Sequence, residues 1–189
     1  MVNVERDEAR RRASLDAERD ASRRRVLLDA ARACFLQFGY AKTSLDDIAR
    51  RANLSRPLIY RKYKNKEELF GAVYDDTFDA RYPEAEKVLA GRGSRRDKLL
   101  RIYEIIVVET WAIMMASPMP SEFYEACMRV LPEIHAKHER RLFDLTKEVL
   151  GTKEVAEVFM LAAEGLMTDL PSAPVLRKRI QLLTERFVG

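Results

Sequence analysis

The stretch Gly39–Phe70, GYAKTSLDDIARRANLSRPLIYRKYKNKEELF, constrains the fold more than any other part of this chain. Gly39 is a natural C-terminal stop for whatever helix precedes it. Thr43 or Ser44 starts the next helix. Ser44 and Asp47 stand at capping-box spacing, with Asp as a shorter substitute for Glu. Leu45, Ile48, Ala49 and Ala52 form the inner face of that helix, and Asn53 suits a left-handed turn. Ser55 is placed to cap a third helix. Pro57 lies in its first turn, where a missing N–H is harmless, and Leu58 is its expected inner anchor. Asn65 caps a fourth. Two short helices joined by a tight connection, with another helix following at once, are the layout of a helix-turn-helix. The second helix of that motif enters the DNA major groove.

The charge distribution agrees. Residues 22–70 carry twelve Lys/Arg against five Asp/Glu, whereas residues 71–189 are net −2, although the whole chain is only +4. A positive field confined to one segment is the footprint of a polyanion partner. Residues 1–21 are dominated by Arg, Glu, Asp and Ala, a composition that suits either a solvated helix or a disordered arm. Such an arm either contacts DNA or is merely solvated.

From Ser22, Val26, Leu27, Ala30, Ala31, Cys34, Phe35 and Phe38 recur at helical steps. The fourth helix runs to about Tyr82, and Pro83 kinks or ends it. Gly91 and Gly93 mark a loop. Residues 95–116 read as one long helix, apolar nearly all round from Ile105 to Met115, and so expected at the centre of a second domain. Helices at about 121–130, 132–150, 153–169 and 174–187 complete an all-α chain. The expected organisation is a charged arm over 1–21, a helix-turn-helix domain over 22–66 and a larger helical domain over 67–189.

With these residues in view, the chain resembles the TetR/AcrR family of transcriptional repressors. The matching positions are Gly39-Tyr40, Thr43-Ser44, Ile48-Ala49, Ala52, Leu54-Ser55, Leu58, Tyr60, Tyr63, Lys66 and Leu69, together with Ala30-Ala31 and Phe35 in the preceding helix. Asn53 stands where the family usually has glycine, and Lys62-Tyr63 where His-Phe is common. Pro57 occupies a position often held by glycine, though proline also occurs there in the family, and all three departures bear on base preference. The resemblance implies a homodimer on a palindromic double-stranded DNA operator, released when a small molecule enters the C-terminal domain.

Side-chain chemistry assigns candidates within this frame. Arg56 can pair two hydrogen bonds with guanine. The hydroxyls of Thr43, Ser44, Ser55, Tyr60 and Tyr63 suit phosphates, and Lys62, Lys64 and Lys66 add charge at the DNA backbone. Pro57 and Ile59 complete the candidate DNA face. The alternative for Tyr60 and Tyr63 is packing in the three-helix core. In the second domain Tyr103, Glu109, Trp111, Met114, Met115, Phe123 and His138 are candidates for an effector pocket, or else ordinary core. Glu109 falls on the apolar stripe Leu99, Ile102, Ile106, Ile113, where a lone carboxylate needs a partner. Val155, Val158, Phe159, Ala162, Leu166, Leu176, Ile180, Leu183 and Phe187 form stripes on the last two helices. They serve either a two-fold four-helix interface or the monomer's own core.

Other functions find little support. There is no Gly-rich phosphate loop, nucleophile elbow or paired metal motif, so neither an enzyme, a cofactor nor a metal site is expected. His135, His138 and Glu139 lack a further ligand at helical spacing. No apolar run approaches membrane-spanning length, and the two cysteines form no pattern. The expectation is a cytoplasmic, ligand-responsive DNA-binding regulator. The alternative is a DNA-binding regulator or activator without small-molecule control.

Overall fold

The computed structural model describes residues 2–188. Its elements are α1 (Val2–Lys42), α2 (Leu45–Ala52), α3 (Arg56–Lys62), α4 (Lys66–Asp79), α5 (Tyr82–Ala90), α6 (Arg95–Tyr103), a π-helical turn (Glu104–Val108), α7 (Glu109–Met115), α8 (Pro120–Val130), α9 (Pro132–Leu150), α10 (Lys153–Gly165) and α11 (Ala173–Val188). All described secondary structure is helical. No helix is long and apolar enough to cross a membrane.

The N-terminal segment is helical, not a disordered arm: α1 runs through it without interruption. Its side chains are exposed from Arg10 to Val26, with local pairs such as Asp16–Arg19 at 3.9 Å along its surface. Val26 is therefore not on the inner stripe, and Phe38 is also exposed, while Leu28 is buried beside Leu27. The centre of the buried face lies between Leu27 and Leu28, and Val26 is about 150° round the helix from it. At Gly39 the backbone leaves the helix, with φ 77° and ψ 166°. A side chain tolerates that combination poorly.

Two clusters make up the interior. The first joins α1 (Leu28, Ala31, Cys34, Phe35), α2 (Ile48, Ala49), Ile59 of α3, and Leu69, Phe70 and Val73 of α4. It also takes in Ala126 and Cys127 of α8, so the helix-turn-helix borrows part of its core from the second domain. Phe70 is the joint: its ring meets Phe35 at 4.9 Å and Phe123 at 5.6 Å, both edge-on. The second cluster packs Tyr82, Leu99, Ile102, Tyr103, Ile106, Trp111, Leu145, Phe159, Leu176 and Ile180 around the central helix.

Three elements differ from the sequence expectation. Pro83 does not end the fourth helix; α4 stops at Asp79, and Pro83 lies in the first turn of α5, where proline is favoured. The inner anchor of α3 is Ile59, with Leu58 only half-buried. A seven-residue helix is too short for its periodicity to fix the phase. The long helix over 95–116 contains the π-helical turn Glu104–Val108, which adds about one residue and rotates everything after it. Trp111 and Met114 face inward in consequence, while Glu109 and Ile113 turn outward.

Candidate nucleic-acid interface and effector cavity

The helix-turn-helix is built by its caps. The Ser44 hydroxyl accepts from Asp47 N, while the Asp47 carboxylate accepts from Ser44 N at 3.1 Å, which completes the capping box. The hydrogen bonds from the Ser44 hydroxyl and its backbone, and then from Arg50, hold the Asp47 carboxyl below its usual range. Asn53 closes α2 in the left-handed conformation, φ 51°. Ser55 stands at the N-cap of α3 without a side-chain cap bond, leaving its hydroxyl exposed. Asn65 caps α4 by accepting from Glu68 N at 2.8 Å.

Burial sorts the DNA-contact candidates into two sets. Ser44, Ser55, Arg56, Pro57, Tyr60 and Lys64 are exposed. Three others face inward. Thr43 is buried, and its hydroxyl donates to Gly39 O at 2.7 Å. Ile59 is fully buried in the first core. The Lys66 ammonium donates to Tyr40 O at 2.7 Å and lies 4.4 Å from the Tyr40 ring centre, so it caps the C-terminal carbonyls of α1. Burial pushes its pKa below the usual lysine value. Tyr63 is half-buried against the first core. Arg61, absent from the sequence candidates, is exposed on the same helix as Arg56. Its one available signal was its place in the basic run after Pro57.

Acidic partners already hold two of the basic candidates. Arg56 pairs with Asp46 of α2. Lys62 pairs at 3.0 Å with Asp20, which lies on the N-terminal extension of α1. The extension thus reaches the end of α3, and the hydrogen bond and charge of Lys62 lower the Asp20 pKa.

The second domain encloses a cavity of about 280 Å³. Phe70, Val73, Tyr74, Thr77 and Phe78 of α4 form one wall. The others come from Arg32 and Leu36 of α1, Tyr82 of α5, Tyr103 of α6, the π turn, α7, α8, α9 and α10. Of the pocket candidates, Tyr103, Trp111, Met114, Phe123 and His138 line it. Glu109 and Met115 do not: the π turn directs Glu109 to Arg101, 3.7 Å away at the surface. Sequence reading missed the α4 wall, Tyr124, Met160 and Met167.

Most polar atoms on the walls have partners. Trp111 donates its indole N–H to Pro171 O at 2.7 Å, Tyr82 its hydroxyl to His138 O at 2.9 Å, and Tyr103 pairs with Thr146 at 3.1 Å. Burial drives the Tyr74, Tyr82 and Tyr103 phenols upward and the Cys127 thiol up to about 12, so all four are neutral at pH 7. His138 is only 3% exposed; its ring stacks on Phe78 at 4.8 Å, and Nε2 lies 2.8 Å from Asp75 Oδ1. Burial lowers its pKa despite Asp75. Among the described residues, no group of three or more His, Cys, Asp or Glu is arranged to hold a metal ion.

Burial also divides the proposed interface residues. Phe159, Leu176 and Ile180 are buried in the monomer's own core, and Leu166, Leu183 and Phe187 pack against it. Val155 and Val158 are exposed and Ala162 is half-buried. Leu161, Val175 and Leu182 extend the exposed apolar face.

Comparison with known proteins bears on the helix-turn-helix segment and on the overall fold. Residues 27–73 match the family described as bacterial regulatory proteins, tetR family. An uncharacterised HTH-type transcriptional regulator of Bacillus subtilis, YhgD, is 46% identical over 44 residues, 23% of each chain. The probable HTH-type transcriptional regulator ArpR of Pseudomonas putida is 37% identical over 84 residues, covering 42% of this chain and 40% of ArpR. The matches thus span less than half the length of these curated relatives. The structure of SmeT, described as the repressor of the Stenotrophomonas maltophilia multidrug efflux pump SmeDEF, shares the fold. Its TM-score is 0.66 over 87% of both chains, at 21% identity.

Proposed function

We propose, from the match of residues 27–73 to the family described as bacterial regulatory proteins, tetR family, that this chain is a homodimeric transcriptional repressor. It binds a palindromic operator through α2 and α3, and a small, largely apolar molecule in the cavity releases it. The observation that carries this reading is the double role of α4. Leu69, Phe70 and Val73 complete the core of the helix-turn-helix, and Phe70, Val73, Tyr74, Thr77 and Phe78 line the cavity. A molecule that enters the cavity therefore pushes on a helix that seats α2 and α3.

A second route runs beside α4. The Ser117 hydroxyl donates to Leu36 O at 2.6 Å, and Glu122 at the start of α8 accepts from Ala41 N at 3.3 Å. The next residues of α8, Phe123 and Tyr124, line the cavity. Lys66 and Glu122 thus grip the backbone just past Gly39 from two of the helices that line the cavity. An effector that prefers one separation of the recognition helices, while DNA prefers another, shifts the population between them.

Dimerisation places the exposed Val155, Val158 and Leu161 of α10, with Val175 and Leu182 of α11, against the same face of a second copy. Work in the cytoplasm follows from a DNA partner.

The test is selection of genomic fragments on the purified protein, followed by footprinting. A two-fold symmetric site is expected, with affinity falling steeply as salt rises. Arg56→Ala should weaken operator binding by about 1–3 kcal/mol and relax preference at one base pair of each half-site. Binding with no preference over random DNA at moderate salt would sink the regulator reading.

A further inference from the structure

Two carboxylates on the cavity lining have no lysine or arginine partner. Glu139 of α9 and Glu164 of α10 both line the cavity. Among the described residues, Glu164 has no ion-pair partner and Glu139 meets only His135, at 3.7 Å. Arg32, the lysine-or-arginine side chain on the lining, is already held by Asp76 at 2.8 Å and Asp29 at 3.0 Å. The uncompensated charge of the cavity is therefore negative.

Arg32 Nε, Thr110 Oγ1 and His138 Nδ1 are the buried polar atoms of the lining without a partner among the described residues, and the last of them is an acceptor. Asp75 Oδ1 accepts from Lys137 Nζ at 2.7 Å and lies 2.8 Å from His138 Nε2. An ionised carboxylate in that position assigns the imidazole proton to Nε2 and leaves a bare lone pair at Nδ1. That Nδ1 is buried and has no hydrogen-bond partner. The walls between these groups are aromatic. Trp111 and Tyr124 meet edge-on at 5.9 Å, and Tyr74 stands beside His138 at 5.8 Å. Burial and then the charges of Glu164 and Glu139, with Cys127, raise the Tyr124 phenol, as expected of a ring near both carboxylates.

We propose that the cavity takes a lipophilic cation, an apolar or aromatic body that carries a protonated amine. The proposal rests on the cavity being the effector site and names the class of effector. A cation loses hydration on entering an apolar space and needs a charge partner there. Glu139 and Glu164, exposed on the lining, supply it where the ammonium stays close to solvent, and aromatic faces attract the same charge. An ammonium N–H is also the group complementary to a bare imidazole nitrogen. A neutral ligand gains only the apolar contact, and an anion is repelled.

The experiment titrates the full-length protein at pH 7 and moderate salt with three probes built on one ring: 2-naphthylmethylammonium, 2-naphthylmethanol and 2-naphthylacetate. Calorimetry should rank the cation at least about tenfold tighter than the alcohol, as ion pairing and cation–π attraction together allow, and the acetate weakest. In the double variant Glu139→Gln/Glu164→Gln the advantage of the cation should shrink several-fold, with alcohol affinity unchanged. Both sites are exposed, so the fold is expected to survive, and the unchanged alcohol affinity verifies it. Three results each overturn the proposal: no binding of the cation, an alcohol or acetate that binds as well, or a cation advantage that survives the double variant. Operator release is read separately. Cation binding without release removes the effector reading and leaves the cation site standing. Release by the alcohol or the acetate, with no cation preference, does the reverse.

Discussion

The helix-turn-helix and the cavity domain are both all-helical, yet their polar side chains do different work. In the first, short polar groups sit at helix ends and satisfy backbone atoms a few residues away: Ser44 on Asp47, Asn65 on Glu68, Thr43 on Gly39. The second has caps of the same kind at Ser94 and Thr152, and in addition polar groups that tie distant helices together: Tyr82 to His138, Tyr103 to Thr146, Arg177 to Glu104. The first domain is specified by near neighbours in sequence, the second by which faces meet. A change at a helix end should therefore act locally in the first domain, and a change at a face should act globally in the second.

The largest effect that tests this contrast is expected at Phe159. Phe159→Ala empties a fully buried position of the second core and should cost about 3–5 kcal/mol in urea unfolding. Its neighbour Val158 is 56% exposed. Val158→Asp should leave the helical content intact and shift the sedimentation coefficient to that of a monomer. If the two substitutions have the same effect, the split between core and interface stripes is wrong.

Gly39 is one of the places where the two domains touch. A Cβ there would collide with the Glu122 carboxylate, and φ 77° with ψ 166° disfavours any side chain. Gly39→Ala should cost about 2–3 kcal/mol from backbone strain and crowding combined. Adding Glu122→Ala should recover the steric part alone. Full recovery in that double-mutant cycle would mean the backbone is not strained there.

A smaller loss, about 1 kcal/mol, is expected for Ser44→Ala. Hydrogen exchange should show it in α2 and leave α9–α11 unaffected; a loss spread through the second domain would contradict the local character of the first.

Acidification tests the second domain in turn. Burial lowers the His138 pKa below 6.5. The unfolded chain therefore takes up a proton before the folded one does as pH falls through about 6.5, and stability declines from there. Asp75 adds to the decline at lower pH: its half-buried carboxyl is pushed up by desolvation, but the hydrogen bonds from Lys137 and His138 outweigh this and hold it below 3.8. His138→Gln, which can still donate to Asp75, should flatten thermal stability between pH 7 and 5 relative to the native chain. An unchanged slope would show that His138 does not carry it.

Legibility in the sequence follows the same divide. The capping box at Ser44, the left-handed Asn53, the cap at Asn65 and the stop at Gly39 were readable because each is decided within about four residues. Burial was less readable even in that domain. Lys66 and Thr43 have side chains suited to phosphate, and only the approach of Tyr40 and Gly39 turns them to internal carbonyls. In the second domain helix positions were legible, but faces were not. One π-helical turn moved Glu109 from the expected pocket to the surface, since a single added residue rotates the rest of a helix by about 100°.

The sequence by itself determined an all-α chain, the helix-turn-helix and its place between residues 22 and 70, because caps, turns and short-range periodicity are local properties. The tertiary structure alone decided that α4 serves both cores and that α8 meets the backbone just past Gly39. It also decided that Phe159, Leu176 and Ile180 belong to the monomer, and that Glu139 and Glu164 come to one cavity from two helices. Those outcomes depend on how helix faces pack across the chain, and a periodic pattern shows that a face is apolar without showing which face it meets.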